Sequence, residues 1–556
     1  MKAKTNKLKI IKLLSFTFVT TIILVTSCTK QFDKQADINA HMLIGNGIPY
    51  QDSGFTVLGE PKQNPYTVVN MTSAWQALAA QGVVPNTQAS VHTTHYYVKF
   101  KPQNLNQYEA LAQDTTLALS DFPIESTVVV NGDKYHDPSL PDSVPTYQYT
   151  AVKVGYNFPD SIPYEIITNL YIPEDDQAFQ YENGGSNDIF VDKLLNRAYI
   201  QTSNYEDTIS IDNNVVPQSY TPGGRIQVTD TRLNTLIGME GVRVQARRWF
   251  IILKASPDYN GYYRMKYTYK RPCNYSIWFA TLSFSIREHF FGLTFWINGP
   301  KQKGDWNYTL NNSYQRFAGH VFRGAWRYNY KNIGGLSRPN ILRRQSYLAL
   351  NGYTSPGVNW QFAPIIKIGR YNNSPSAPLN SEYGSDEIFS TTCHETAHTT
   401  HLHRMTGGLG EYIHVSRQIQ ESWPVAVEWF ITHLEYAERG IANYGDENYN
   451  PPTPPNYPNV FAYQYWNPSF FSDQTFAYRY TPLFIDIVDN FNEQNQFFPN
   501  FNYGIVNDNV SGYTLPYIEQ NLLKHCYDLS SLATQLKNNK PIGVTDLNID
   551  VLLSHF

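Results

Sequence analysis

The chain has 556 residues, a formal net charge of −4 and only 16% charged residues. That length suffices for several domains with cores of their own, and the near-balanced charge supplies no basic field for nucleic acid. Aromatic residues reach 15%, with 42 Tyr, and Tyr couples apolar area to a hydroxyl that needs a partner, which favours an exported globular protein with wet, aromatic surfaces.

Residues 1–27 read as a targeting segment. Lys2, Lys4, Lys7, Lys9 and Lys12 make a basic start, and the apolar run from Leu13 to Val25 is too short and too early for a membrane span. The run ends Leu24-Val-Thr-Ser-Cys28, which resembles a bacterial lipobox. That resemblance implies cleavage before Cys28, acylation of its thiol and a membrane partner. Thr29 follows, with no Asp to retain the protein at an inner membrane, so by analogy with diderm lipoproteins the outer membrane is expected. Beyond Cys28 only Cys273, Cys393 and Cys526 remain, an odd number without zinc-ribbon spacing, and Cys393 reads as core packing.

Residues 28–60 read as the lipidated Cys and a polar tether. Residues 61–205 follow as an α+β unit. Tyr96–Phe100 alternates like a strand, Leu105–Ala112 suits a short helix, Thr115–Leu119 is strand-like, and Ile189–Ala198 is helix-like. His92, His95 and His136 lack a ligand spacing and are taken as structural. The unit resembles the N-terminal regions of Bacteroidetes lipoproteins, which bears on origin and not on activity.

Between 220 and 286 the pattern turns to short strands separated by Gly and Asn turns. They are Gly224–Thr231, Glu240–Ala246, Asp258–Tyr263 and Cys273–Ile277, which together predict a small β-sandwich. Their order resembles carboxypeptidase regulatory-like domains, which couple a Gly-Val-x-Val strand to a later Asp-x-x-Gly-Tyr turn. Such modules are accessories.

Residues 287–556 are expected to form a mainly helical catalytic domain, making the whole chain multidomain α+β. Tyr314–Tyr328 is a helix candidate whose His320 reads as a satisfied histidine, and Ala363–Gly369 reads as a strand. The central stretch is Thr391-Thr-Cys-His-Glu-Thr-Ala-His-Thr-Thr-His-Leu-His403, with His394-Glu395-Thr396-Ala397-His398 as an HExxH pattern. On a helix, residues four apart leave the same face, so two imidazoles can share one zinc ion while Glu395 serves as general base. Ser385-Asp386-Glu387 offers an N-cap with two acids in the first turn, and Gly407-Gly408 a stop, for a helix of about 18 residues.

A third ligand is needed. His401 shares the face, but one straight helix carries it about 10 Å past His394, too far to close a tetrahedron. The metzincin pattern fails because His401 and Arg404 stand where it needs Gly and His, and His403 points to the opposite face. Glu421 and Glu428, seven apart in Gln420-Glu-Ser-Trp-Pro-Val-Ala-Val-Glu-Trp-Phe430, share a helix face, and only one of them can be a ligand.

This stretch resembles the second zinc-binding helix of gluzincin metallopeptidases, particularly the aminopeptidase branch. The resemblance implies one zinc held by His394, His398 and Glu421, with Glu428 as the second acid and a peptide or protein as substrate. The gap from His398 to Glu421 is longer than usual there, and Pro424 tends to kink a helix; either departure leaves Glu428 as the alternative ligand. Gluzincins of this branch draw an oxyanion donor from a Tyr just before a later helix. Tyr480 matches that placement, and Tyr478 less well. Pro451–Pro458 reads as a connection, and Thr481 and Pro482 as the start of that helix. The Gly-x-Met-Glu-Asn exopeptidase motif is missing, so aminopeptidase activity is not implied. The rival expectation is a non-catalytic surface protein with a zincin-like scaffold.

Overall fold

The structure is a computed structural model that describes residues 55–83, 91–130, 132, 135–141, 143–176, 187–211, 217–288, 294–339, 344–350, 357–360, 365–371, 381–442, 480–490, 492 and 506–556. The expected leader, Cys28, most of the tether, Pro451–Pro458 and Tyr478 lie outside the described residues. Mixed helices and sheets make the chain α+β, and it divides into two compact units, 43–326 and 327–556. Among the described residues no helix is long and apolar enough to cross a membrane.

The first unit opens with β1 (Val57–Pro61), α1 (Val68–Ala80), β2 (His95–Phe100), α2 (Leu105–Gln113), β3 (Ser126–Val130), β4 (Gln148–Lys153), β5 (Tyr164–Leu170) and α3 (Asn187–Gln201). β2 is the centre of an antiparallel sheet in the order β4-β2-β5, and β1 pairs with β3. Met71, Ala74, Trp75 and Leu78 form one face of α1 at helical spacing, and they share a core with Tyr97, Tyr149, Leu170 and the α3 residues Leu194, Leu195 and Ala198. Thr115–Leu119 forms no strand. Asp114 accepts from both the amide and the hydroxyl of Thr116, and this local bond turns the chain before it bridges at Ser120.

The unit continues with β6 (Gly223–Asp230), β7 (Thr235–Gly238), β8 (Arg243–Arg248), β9 (Ile251–Ala255), β10 (Tyr262–Arg264), β11 (Cys273–Trp278), β12 (Phe284–Arg287), β13 (Trp296–Gln302) and β14 (Tyr308–Leu310). One sheet has the order β10-β6-β14 with β7 beside β6, the other the order β13-β11-β8-β9. Trp306, two residues before β14, lies with its ring 5.5 Å from that of Tyr275 on β11. Pairing therefore carries the β-rich region past residue 286 to Leu310, because β13 completes the β11 edge and β14 the β6 edge. Gly241, which opens the Gly-Val-x-Val strand, has φ 81°, and a Cβ there would lie 2.3 Å from the Trp326 ring.

α4 (Ser313–Tyr330) follows, and the division between the units falls within it. His320 on this helix is satisfied, with Nε2 2.9 Å from the Thr229 carbonyl and Nδ1 2.8 Å from Arg323 Nη1.

The second unit holds β15 (Gln345–Leu350), β16 (Gly357–Trp360), β17 (Ile365–Gly369), α5 (Ser385–Arg404), α6 (Leu409–Tyr412), α7 (Arg417–Glu438), α8 (Leu483–Asp486), α9 (Leu529–Asn538) and α10 (Asp546–Leu553). β17 is parallel to β15 and antiparallel to β16, which ends the sheet order and neighbours α5. α5 is capped at Gly384 and not at Ser385, with the Glu387 carboxylate accepting from the Gly384 amide. α7 runs unbroken through Pro424, with Ser416 as its cap. α8 spans four residues, and its N-cap is Pro482, one position later than the sequence suggested. The core sits between α5 and α7: Phe389, Cys393 and Ala397 at four-residue spacing meet Ile419, Trp423, Ala426, Val427 and Ile431.

Candidate metal centre

α5 is buried along nearly its whole length, so its polar residues need internal partners. The threonines satisfy themselves. Thr392 donates to the Ile388 carbonyl at 2.8 Å and Thr396 to that of Thr392 at 2.7 Å. The Tyr347 hydroxyl on β15 also meets Thr396 Oγ1 at 2.9 Å, and Tyr328 meets Thr400 Oγ1 at 3.1 Å. These contacts fix the helix from behind and leave the histidine face turned to α7.

His394, Glu395 and His398 are fully buried, and donor atoms from all three lie within 4.8 Å of one another, a group that can hold a metal ion. The two imidazoles are 5.0 Å apart. From α7, Glu421 Oε2 lies 3.7 Å from His394 Nε2 and 3.4 Å from His398 Nε2. Glu428 stands on the other side of the first ring, its Oε2 3.2 Å from His394 Nδ1. The seven-residue interval thus sets the two acids on different sides of the ring: Glu421 faces both Nε2 atoms, and Glu428 faces His394 Nδ1.

The second histidine has its own support. The Tyr412 hydroxyl lies 3.2 Å from His398 Nδ1, leaving Nε2 turned to Glu421. Tyr412 is fully buried, and the Gln420 amide on α7 donates to its carbonyl at 2.7 Å. No spacing in the sequence marks this residue among 42 tyrosines. His401 is buried one turn beyond, its ring edge-on to Tyr412 at 4.9 Å, and His403 is exposed; neither joins the group.

The electrostatics differ between the two histidines. Burial opposes charge on His394, yet Glu428, Glu421 and Glu395 outweigh it and lift the imidazole to about 9. Burial dominates at His398 and pulls it below its ordinary value. Burial would raise Glu421, but His398 and His394 hold its carboxyl well below the usual range.

Tyr480 is partly buried, with its ring 6.1 Å from that of His394. It is held by its neighbour, since Thr481 Oγ1 meets Ser422 Oγ at 2.7 Å and the Thr481 amide donates to Ser422 Oγ at 3.2 Å. Ser422 directly follows Glu421, so one turn of α7 carries the acid and anchors the tyrosine. Cys393 faces the core, as its position one residue before His394 suggests, and Cys273 and Cys526 are likewise buried thiols. Comparison of the chain with protein-family models, curated proteins and solved structures finds no match.

Proposed function

We propose that this chain is a zinc-dependent metallopeptidase of gluzincin type, working at the bacterial cell envelope, with His394, His398 and Glu421 as protein ligands. The observation that carries the reading is the position of Glu421 Oε2, 3.7 and 3.4 Å from the two Nε2 atoms. Donors on one tetrahedral ion, at bonds of about 2.0–2.1 Å, are separated by about 3.3–3.4 Å. Both distances from Glu421 match that spacing to within a few tenths of an ångström. Two imidazoles and a carboxylate are also the donor set of catalytic zinc sites, which keep a fourth position open. Zinc held there supplies a Lewis acid that polarises a carbonyl and lowers the pKa of water.

The chain's own residues supply the rest. Glu395 takes a proton from the attacking water and returns it to the leaving amine nitrogen. The Tyr480 hydroxyl donates to the oxygen on which negative charge develops. Glu428 and Tyr412 hold the two imidazoles in the tautomer with Nε2 free. β16, at the end of its sheet and beside α5, offers a backbone edge to an extended peptide. An acyl anchor on Cys28 would keep this activity at the outer membrane, and a carboxypeptidase regulatory-like accessory fits the β-rich part of the first unit.

The test is Glu395→Gln. The substitution keeps size and leaves the three ligands, so fold and metal content should match wild type. Hydrolysis of a broad peptide library should fall by about 10²–10⁴-fold. Equal cleavage by the variant would refute the mechanism, and no cleavage by metal-loaded wild type would favour the non-catalytic scaffold.

A further inference from the structure

In the first unit, three neighbouring strands put a row of donors on one sheet face. Arg247 on β8 is directly opposite Asn274 on β11, and Asn274 is directly opposite Lys301 on β13. Direct cross-strand partners share a face. The other face of β11, with Cys273, Tyr275 and Ile277, is sealed in the core. The donor face instead borders a cavity of about 440 Å³, to which Phe122, Glu125 and Asn298 also contribute. Small-molecule sites have volumes of this order.

The charges along this cavity are unevenly satisfied. Lys301 Nζ lies 2.7 Å from Asp207 Oδ1. Arg248 pairs with Glu174 and donates to Tyr66 and Tyr199 at 2.6 and 2.7 Å. The Arg247 side chain makes no hydrogen bond or ion pair among the described residues, and its guanidinium carbon lies 5.8 Å from the Phe122 ring centre. The Asn274 amide is equally without a hydrogen-bond partner there. Burial presses the Arg247 pKa down, with Tyr97 and Asp121 pulling partway back, yet arginine stays charged. Asp121 gives one oxygen to Gln148 Nε2 at 2.9 Å. Arg247 and Asn274 are both partly exposed, so their donors are open to an anion entering the cavity from water.

We propose that this cavity is a second binding site, taking a small carboxylate whose oxygens meet the Arg247 fork and the Asn274 amide. A guanidinium presents two parallel N–H donors that match a carboxylate. Glu125, whose Oε2 accepts from the Tyr97 hydroxyl at 2.6 Å, lines the same cavity. Its charge disfavours a dianion such as phosphate and selects a ligand with hydroxyl or amino donors at its other end. The ligand class is therefore a hydroxy acid or amino acid no larger than a single sugar acid. This site is independent of the metal centre and does not rest on the peptidase reading.

Titration calorimetry on the purified protein tests the assignment with D-glucuronate, L-lactate and L-alanine. Their counterparts D-glucose, L-lactamide and L-alaninamide, together with inorganic phosphate, serve as controls. At least one carboxylate should bind saturably at one per chain, with its counterpart and phosphate weaker by about tenfold or more. Arg247→Gln and Asn274→Ala should each weaken that carboxylate by about tenfold, the value of one charge-assisted hydrogen bond. The melting temperature of Arg247→Gln should not fall, since a cation without an ion-pair partner is removed; if it falls, Asn274→Ala decides. The assignment is overturned if no carboxylate binds at about 10 mM, if a control binds as well as the carboxylate, or if binding survives both substitutions.

Discussion

Ser422 Oγ and Thr481 Oγ1 lie 2.7 Å apart, joining the helix turn that carries Glu421 to the segment that carries Tyr480. Both residues are buried, so the bond is shielded from competing water. The proposed ligand acid and the proposed oxyanion donor are thereby positioned by one contact, although 59 residues separate the two ends in sequence.

That contact gives a graded expectation. Tyr480→Phe should lower peptide hydrolysis by about 10²–10³-fold, the usual cost of one oxyanion donor. Ser422→Ala removes only the bond that positions it, worth about 1 kcal/mol, and should lower hydrolysis by about fivefold. Metal content should be unchanged in both, as measured by elemental analysis. A loss of metal in Tyr480→Phe would reassign the residue from donor to ligand.

The two acids on α7 should separate in metal affinity. Wild type is expected to carry about one zinc per chain, lost in His394→Ala and His398→Ala. Glu421→Gln should weaken binding more than Glu428→Gln, for which about 10–100-fold is expected of a group that orients a ligand. Competition with a chromogenic chelator measures both. The reverse order would move the third ligand two turns along the helix.

Acid stability should depend on His320. Burial, reinforced by Arg323, depresses its pKa to about 3, and both ring nitrogens are bonded in the neutral form. The unfolded chain takes up this proton near pH 6.5 and the folded one near 3, so stability is lost as pH falls from 6.5 towards 3. The slope from this group is about 1.4 kcal/mol per pH unit. His320→Gln can still donate to Thr229 and accept from Arg323 without titrating. Its unfolding free energy, measured in urea between pH 7.5 and 5, should fall less steeply than that of wild type.

Cys28→Ser should abolish lipid labelling and release the protein from the membrane fraction. Retention of the variant in that fraction would show that a different feature anchors the chain.

Much of the site was legible in the sequence because a helix converts spacing into direction. The four-residue interval of His394 and His398 and the seven-residue interval of Glu421 and Glu428 each imply one face, and α5 and α7 present those faces to each other. Local signals were less decisive at element ends. The cap fell on Gly384 and not Ser385, and Thr115–Leu119 became a turn, because the carboxylates of Glu387 and Asp114, accepting local hydrogen bonds, outweighed the pattern. The sequence by itself determined the helix carrying HExxH, the alternating strands and the pairs of residues that had to share a face. Only the tertiary structure decided which acid meets the Nε2 atoms, that Tyr412 supports His398, that Ser422 anchors the Tyr480 segment and that β13 and β14 complete the two sheets. Those relations join residues far apart in the chain. Distance between such residues follows from how whole faces pack, which periodicity along one segment does not contain.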